Sequence, residues 1–171
     1  MDINYCQVCG EKLILKQIGD EGMIPFCNTC QKPYFKSPAP CVLVVVVNEY
    51  NEVVLLKQEY VSKTHCGLVA GYITEGENAE DTVIREVKEE TGLNVKSYKY
   101  IASYHRSQNN LLMLGYLAHV QKAEFVKSCE VDQINWFSIN DAMINLREGS
   151  IGKQLFETVM SRLEDLSRAE F

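Results

Sequence analysis

A chain of 171 residues has room for one ordinary domain and a small appendage, and a 46% hydrophobic share suffices for a sizeable core and excludes wholesale disorder. A net charge of −6 excludes a general electrostatic draw to nucleic acid or anionic membrane. The longest apolar run, Cys41–Val47, is seven residues and too short to span a bilayer, and Met1-Asp2-Ile3-Asn4 has no basic or apolar leader region, so a soluble cytoplasmic chain is expected.

In chain order, Cys6-x-x-Cys9 and Cys27-x-x-Cys30 come first, two knuckles separated by 17 residues. That is the spacing of a four-cysteine zinc site, in which thiolates around Zn²⁺ stabilise a segment too short for its own core. Residues 1–36 therefore read as a zinc ribbon, with a polar excursion from Lys12 to Met23. Zinc ribbons often touch nucleic acid, but Lys12, Lys16, Lys32 and Lys36 are offset by Asp2, Glu11, Asp20 and Glu21, and four thiolates with one Zn²⁺ add −2. A nucleic-acid footprint should be basic, so a bracing role is expected instead. Cys41, Cys66 and Cys129 read as small buried hydrophobes.

Ser37-Pro38-Ala39-Pro40 reads as a linker into a second domain, residues 37–171. Cys41–Val47 has the continuous apolar pattern of a buried strand, and Asn48–Asn51 turns the chain into a strand at Val53–Lys57. Leu68–Ile73 is a third strand, followed after a helix by strands at Val95–Ser107, Leu111–Val120 and Ile134–Phe137, with Ser107–Asn110 as a polar turn. Helices are expected at Asp141–Leu146 and Gly149–Ser167, the latter packing through Ile151, Leu155, Val159 and Leu163 with Phe156 alongside. Helices on either side of a mixed sheet give an α/β/α sandwich.

The helix between the third and fourth strands has the densest signals. Asn78 can cap it with Asp81 at the third position, and Gly92-Leu93 is a stop with a hydrophobic latch, which leaves roughly Ala79 to Glu90. Val83 and Val87, with Ile84 beside them, face a core. Glu86, Glu89 and Glu90 share a sector at offsets of three and four, where like charges repel unless a hard divalent cation takes them as oxygen ligands. Three glutamates alone also fit a solvated acidic face. Their fixed offsets from Gly71, Glu77, Arg85 and Gly92 favour a site.

Gly71–Leu93 resembles the Nudix box, G-x5-E-x7-R-E-U-x-E-E-x-G-U with U apolar, at every defined position. The resemblance implies a Nudix fold and a Mg²⁺- or Mn²⁺-dependent hydrolase that cuts a diphosphate linked to another moiety, X. It also implies metal ligands at Glu86, Glu90 and the main-chain carbonyl of Ala70. Glu130, six residues before Trp136-Phe137, corresponds to a further ligand. Glu89 is left as general base or extra ligand, and Gly71, Glu77 and Arg85 as structural support, the last two as an ion pair. His65, His105 and His119 do not cluster with other ligand types.

A ribbon before such a domain resembles the NADH pyrophosphatase branch of the family, as do Ala39-Pro40-Cys41-Val42, Leu68-Val-Ala-Gly-Tyr72 and Ser150-Ile151-Gly152. That implies substrate contacts at Tyr72, Tyr34 and the backbone near Gly152, NAD(H) cleaved to NMN(H) and AMP, and a homodimer. An NAD cap on RNA is a further substrate of the branch, to which the neutral ribbon lends little support. One departure is large. The branch signature S-Q-P-W-P-F-P-x-S is replaced by Ser103–Leu111, which has neither proline nor tryptophan, and Arg106 there has the chemistry to meet a phosphate or carboxylate. ADP-ribose, other nucleotides and a non-catalytic nucleotide sensor are the alternatives. Retention of all three helix glutamates favours the enzyme.

Overall fold

A computed structural model describes residues 3–59 and 62–169, with side chains to residue 162; the expected packing of Leu163 and the opening Met1-Asp2 lie outside the described residues. The chain divides by its internal contacts into two compact units, Met1–Pro38 and Ala39–Phe171.

The first unit is a three-stranded antiparallel sheet, β1 (Ile14–Gln17), β2 (Met23–Cys27) and β3 (Lys32–Pro33), in the order β1-β2-β3. Residues 12–23, expected as a polar excursion, instead contain β1 and its return. Ile14 pairs with Phe26 and Gln17 with Met23, and the turn closes through Ile18 N–H to the Gly22 carbonyl at 3.0 Å. All of β1 is exposed, so no alternating half-buried pattern marks it in the sequence.

The second unit contains β4 (Ala39–Val47), β5 (Val53–Lys57), β6 (Val69–Tyr72), α1 (Ala79–Thr91), β7 (Val95–Arg106), β8 (Leu111–Val120), β9 (Gln133–Phe137), α2 (Ile139–Asn145) and α3 (Ile151–Ala169). The sheet runs β7-β8-β4-β5-β9, with β6 also on β4; β4 and β8 are parallel and the other pairings antiparallel, so the sheet is mixed. Successive side chains of a strand point to opposite faces. Val42, Val44 and Val46 accordingly enter one apolar layer with Val83 and Val87 of α1, while Cys41, Leu43, Val45 and Val47 enter another with Ala142, Leu155, Phe156 and Val159 of α2 and α3. A central strand covered on both faces explains the unbroken apolar run, each valine contributing about 2 kcal/mol by its burial. The expected α/β/α sandwich is the fold observed.

Several details differ from the sequence reading. Ala39 and Pro40 belong to β4 rather than to a linker, because Ala39 N–H donates to the Asn110 carbonyl at 2.9 Å and the Pro40 carbonyl accepts from Ile73 N–H at 3.1 Å. Ile84 is 43% exposed, since its position on α1 turns it off the Val83–Val87 stripe. Of the leftover cysteines, Cys41 is buried, Cys66 intermediate and Cys129 exposed, the last in a segment without regular structure. The helix α2 starts at Ile139 because the Ser138 hydroxyl accepts from Asp141 N–H, which caps it two residues earlier than expected.

Candidate active site

Local rules set α1 in place. The Asn78 side chain accepts from Asp81 N–H at 2.8 Å, and Gly92, at φ 78°, ends the helix by donating to the Lys88 carbonyl. A Cβ at Gly92 would lie 2.7 Å from the Val126 Cβ and 2.8 Å from its backbone nitrogen, and Leu93 is buried behind it. The helix so fixed carries Glu86, Glu89 and Glu90, but not into one environment. Glu90 is 6% exposed, the Glu86 side chain 12% and the Glu89 side chain 56%.

Glu90, buried, and Glu86, half-buried, lie against β6. A side chain at Gly71 would overlap the Glu86 carboxylate, so glycine is what lets that carboxylate rest on the strand. Glu90 receives Ala70 N–H on Oε2 and Gln58 Nε2 on Oε1, each at 3.3 Å. Because the N–H and C=O of a strand residue face the same edge, the Ala70 carbonyl is turned to that edge as well. No lysine or arginine pairs with Glu90 among the described residues. Its pKa is pushed up to about 7, chiefly by burial and further by the charges of Glu86 and Glu130; Glu86 is also raised by burial. Glu130 is exposed, in the segment between β8 and β9, and its charge adds to the upward push on Glu90.

Arg85 organises the other side. Its Nε and Nη2 donate to Glu77 Oε1 and Oε2 at 2.6 and 2.9 Å, and Nη2 also donates to the Tyr72 carbonyl at 3.0 Å. Its Nη1 reaches Glu86 at 2.6 Å and Glu89 at 3.0 Å. The pairing with Arg85 holds the Glu77 carboxyl far below the usual range, with hydroxyl donors from Thr74 and Thr82 assisting. The bidentate bridge ties the loop before α1 to the middle of the helix.

This donor set fits a hard divalent cation: oxygen ligands, a glycine cradle, and a buried carboxylate without a counter-charge. The first unit fits zinc. The sulfur atoms of Cys6, Cys9, Cys27 and Cys30 all lie within 4.8 Å of one another, with Cys6–Cys30 at 3.7 Å and Cys9–Cys27 at 3.6 Å. A tetrahedron with Zn–S bonds of about 2.3 Å has edges of about 3.8 Å. Val8 and Cys9 N–H groups donate to Cys6 Sγ at 3.4 and 3.5 Å, and Cys30 N–H to Cys27 Sγ at 3.3 Å, which stabilises thiolate charge. The Cys30 thiol is pushed up to about 12, first by the Cys9 sulfur, and a cation among the sulfurs would offset that push.

Of the expected substrate contacts, Tyr72 is 56% exposed and pairs across the sheet with Cys41, while Gly152 lies in the first turn of α3 near Leu68. The Tyr34 hydroxyl is 2.9 Å from Cys6 Sγ, a partner the sequence did not suggest. The Nδ1 of His65 is bonded to Thr64 and the Nε2 of His105 to Asn110. Gln58, Thr74, Thr82 and Asp132 were missed. Only the proximity of Thr74 and Thr82 to Glu77 offered a signal.

A family model described as the NUDIX domain matches residues 37–157. Among curated proteins, the NAD-capped RNA hydrolases NudC of Escherichia coli strains SMS-3-5 / SECEC and O81 (strain ED1a) are 26% identical over 168 residues, a match covering 98% of this chain and 62% of theirs. The chain thus spans less than two thirds of the length of these relatives. A NUDIX hydrolase from Nitrosomonas europaea has a similar structure, with a TM-score of 0.73 at 20% identity over 91% of each chain. The NUDIX domain of Shewanella oneidensis NrtR, complexed with ADP ribose, gives a TM-score of 0.64 at 19% identity over 81% of this chain and 94% of that one. The cradle at Gly71 and the acidic face of α1 are therefore set on a shared fold, and with the family model matched over most of its length the chain belongs to the NUDIX family.

Proposed function

We propose that the chain is a metal-dependent pyrophosphohydrolase that cleaves the diphosphate of a nucleoside diphosphate linked to X. The observation that carries this reading is the pair of carboxylates, buried Glu90 and largely covered Glu86, set against the backbone of Ala70 and Gly71. Hydrolysis of a phosphoanhydride requires water to approach an already anionic phosphorus. A bound Mg²⁺ or Mn²⁺ supplies the positive charge for that approach and lowers the pKa of water. Glu86, Glu90, the Ala70 carbonyl and Glu130 would hold it. Glu89, exposed and oriented by Arg85, would serve as general base on a water or as an extra metal ligand. Arg85 and Glu77 keep helix and loop in register, a supporting role.

For X, NAD(H) comes first, with NMN(H) and AMP as products. Support comes from the NAD-capped RNA hydrolases of similar sequence and from the exposed ring of Tyr72, available to stack on a base. ADP-ribose and other nucleotides follow, favoured by the ADP ribose complex of a structural neighbour and by the changed stretch at 103–111. There Arg106, the last residue of β7, offers a guanidinium with the chemistry to meet an anionic group on X. Zinc in the four-cysteine site, a homodimer and a cytoplasmic location belong to the same reading; no helix among the described residues is long and apolar enough to cross a membrane.

The test is hydrolysis of NADH, NAD, ADP-ribose, diadenosine polyphosphates and nucleoside triphosphates with Mg²⁺ and Mn²⁺, beside Glu90→Gln. Turnover by wild type and none by the variant is expected. Undiminished activity of Glu90→Gln would overturn the assignment.

A further inference from the structure

Glu90 and Glu130 come from different parts of the chain, and the contacts between those parts run through two residues outside the family pattern quoted above. Gln58 is the first residue past β5, and its Nε2 donates to Glu90 Oε1 at 3.3 Å. Asp132 lies two residues beyond Glu130 and clamps the backbone on both sides of Gln58. Its N–H donates to the Lys57 carbonyl at 2.9 Å, and its Oδ2 accepts from Glu59 N–H at 2.7 Å. Lys127 folds the same segment by donating its Nζ to the Val131 and Asp132 carbonyls at 2.9 and 2.8 Å. Val131, between Glu130 and Asp132, is 1% exposed in the α1-facing layer, which anchors the segment from below.

The chemistry of these contacts suits a metal site. A carboxylate has about four lone-pair positions, and Glu90 gives one to Gln58 and one to Ala70, one on each oxygen. Both donors are neutral amides. They orient the carboxylate without neutralising it, whereas a lysine or arginine in their place would compete with a cation. Glu86, in contrast, is already ion-paired with Arg85.

We infer that Gln58 and Asp132 are positioning residues that fix the Glu90 and Glu130 carboxylates relative to one another, so that both present oxygens to one divalent cation. Gln58 sets the rotation of the Glu90 carboxylate, and Asp132 couples the Glu130 segment to the strand end that carries Gln58. The inference rests on the reading of this site as a divalent-metal centre.

The test is Mn²⁺ binding to the substrate-free protein, followed by the electron paramagnetic resonance signal of free Mn²⁺, together with kcat and KM at several Mn²⁺ concentrations and Tm in EDTA. Gln58→Met keeps the length of the side chain and removes the donor; Asp132→Ala removes the acceptor; Asp132→Asn keeps an oxygen that can accept from Glu59 N–H. Gln58→Met and Asp132→Ala should weaken Mn²⁺ binding by about tenfold, the range for residues that orient ligands. Their kcat should recover in excess Mn²⁺, and Asp132→Asn should stay close to wild type. Unchanged Mn²⁺ affinity in Gln58→Met and Asp132→Ala, even with a lower Tm, would overturn the inference and leave packing as their role. Gln58→Met decides the matter if Asp132→Ala does not fold. Glu90→Gln separates the two levels: if it binds Mn²⁺ as wild type does, the metal-site reading itself fails, and if it alone loses binding, only the positioning roles fail.

Discussion

Among the described residues before Ala39, the buried hydrophobic side chains are Cys6, Cys27 and Phe26, two of them cysteines. From Ala39 onward, two apolar layers close over the faces of one sheet, each with valines at zero exposure. The first unit has a thiolate cluster where a core would be; the second has a core that exists without any ion. Metal binding of this kind is folding free energy, about 10 kcal/mol or more for a structural zinc. In the second unit, on the proposed reading, an ion would serve chemistry rather than folding. On that reading the two candidate metal sites of the chain would do opposite jobs.

The comparison breaks first under chelation. Purified protein should carry about one zinc per chain, and stripping it should collapse the amide resonances of residues 3–38 while those of the α/β unit persist. Resonances unchanged by chelation would mean that the first unit holds without the ion. Next in size is Glu90→Gln, which should lose measurable turnover yet gain stability when metal-free. The Glu90 carboxyl, raised by burial to about 7 from 4.5, keeps its proton in the folded state over a window where the unfolded chain has released it. Stability of the metal-free wild type thus falls as pH rises from about 4.5 to about 7, and the glutamine variant is spared that loss. Melting curves in EDTA should coincide near pH 4 and separate by pH 8, with the variant higher; identical curves at pH 8 would remove burial as the cause.

Two glycines of the same motif sharpen the contrast between fold and chemistry. Gly92→Ala places a side chain at positive φ and against the Val126 backbone, so it should cost about 3 kcal/mol in denaturant titration. Gly71→Ala meets only the movable end of Glu86, so Tm should shift by a few degrees at most. Its effect falls on turnover, which should drop by about a hundredfold as Glu86 is displaced. A stable, fully active Gly71→Ala protein would show that Glu86 need not lie on β6.

Much of this was legible in the residues because it is local. Asn78 and Gly92 delimit α1 by capping rules that operate within one turn, and the paired C-x-x-C knuckles declare a tetrahedral site by spacing alone. The run from Cys41 to Val47 announced a strand buried on both faces. Periodicity did not separate Glu89 from Glu86 and Glu90, because helical spacing places all three in one sector and only the strand beneath decides which are covered. The same holds for Ile84, which has the pattern of a core residue and the surroundings of a surface one.

By itself, then, the sequence determined the helix, its ends, the glutamates it carries, the zinc knuckles and the central strand, since each follows from neighbours a few positions apart. The tertiary structure alone decided that Gln58 meets Glu90, that Asp132 clamps the strand end beside it and that the Tyr34 hydroxyl turns to Cys6. Those contacts join residues 28 to 75 positions apart. No local preference encodes them, because they exist only where separate strands and loops converge.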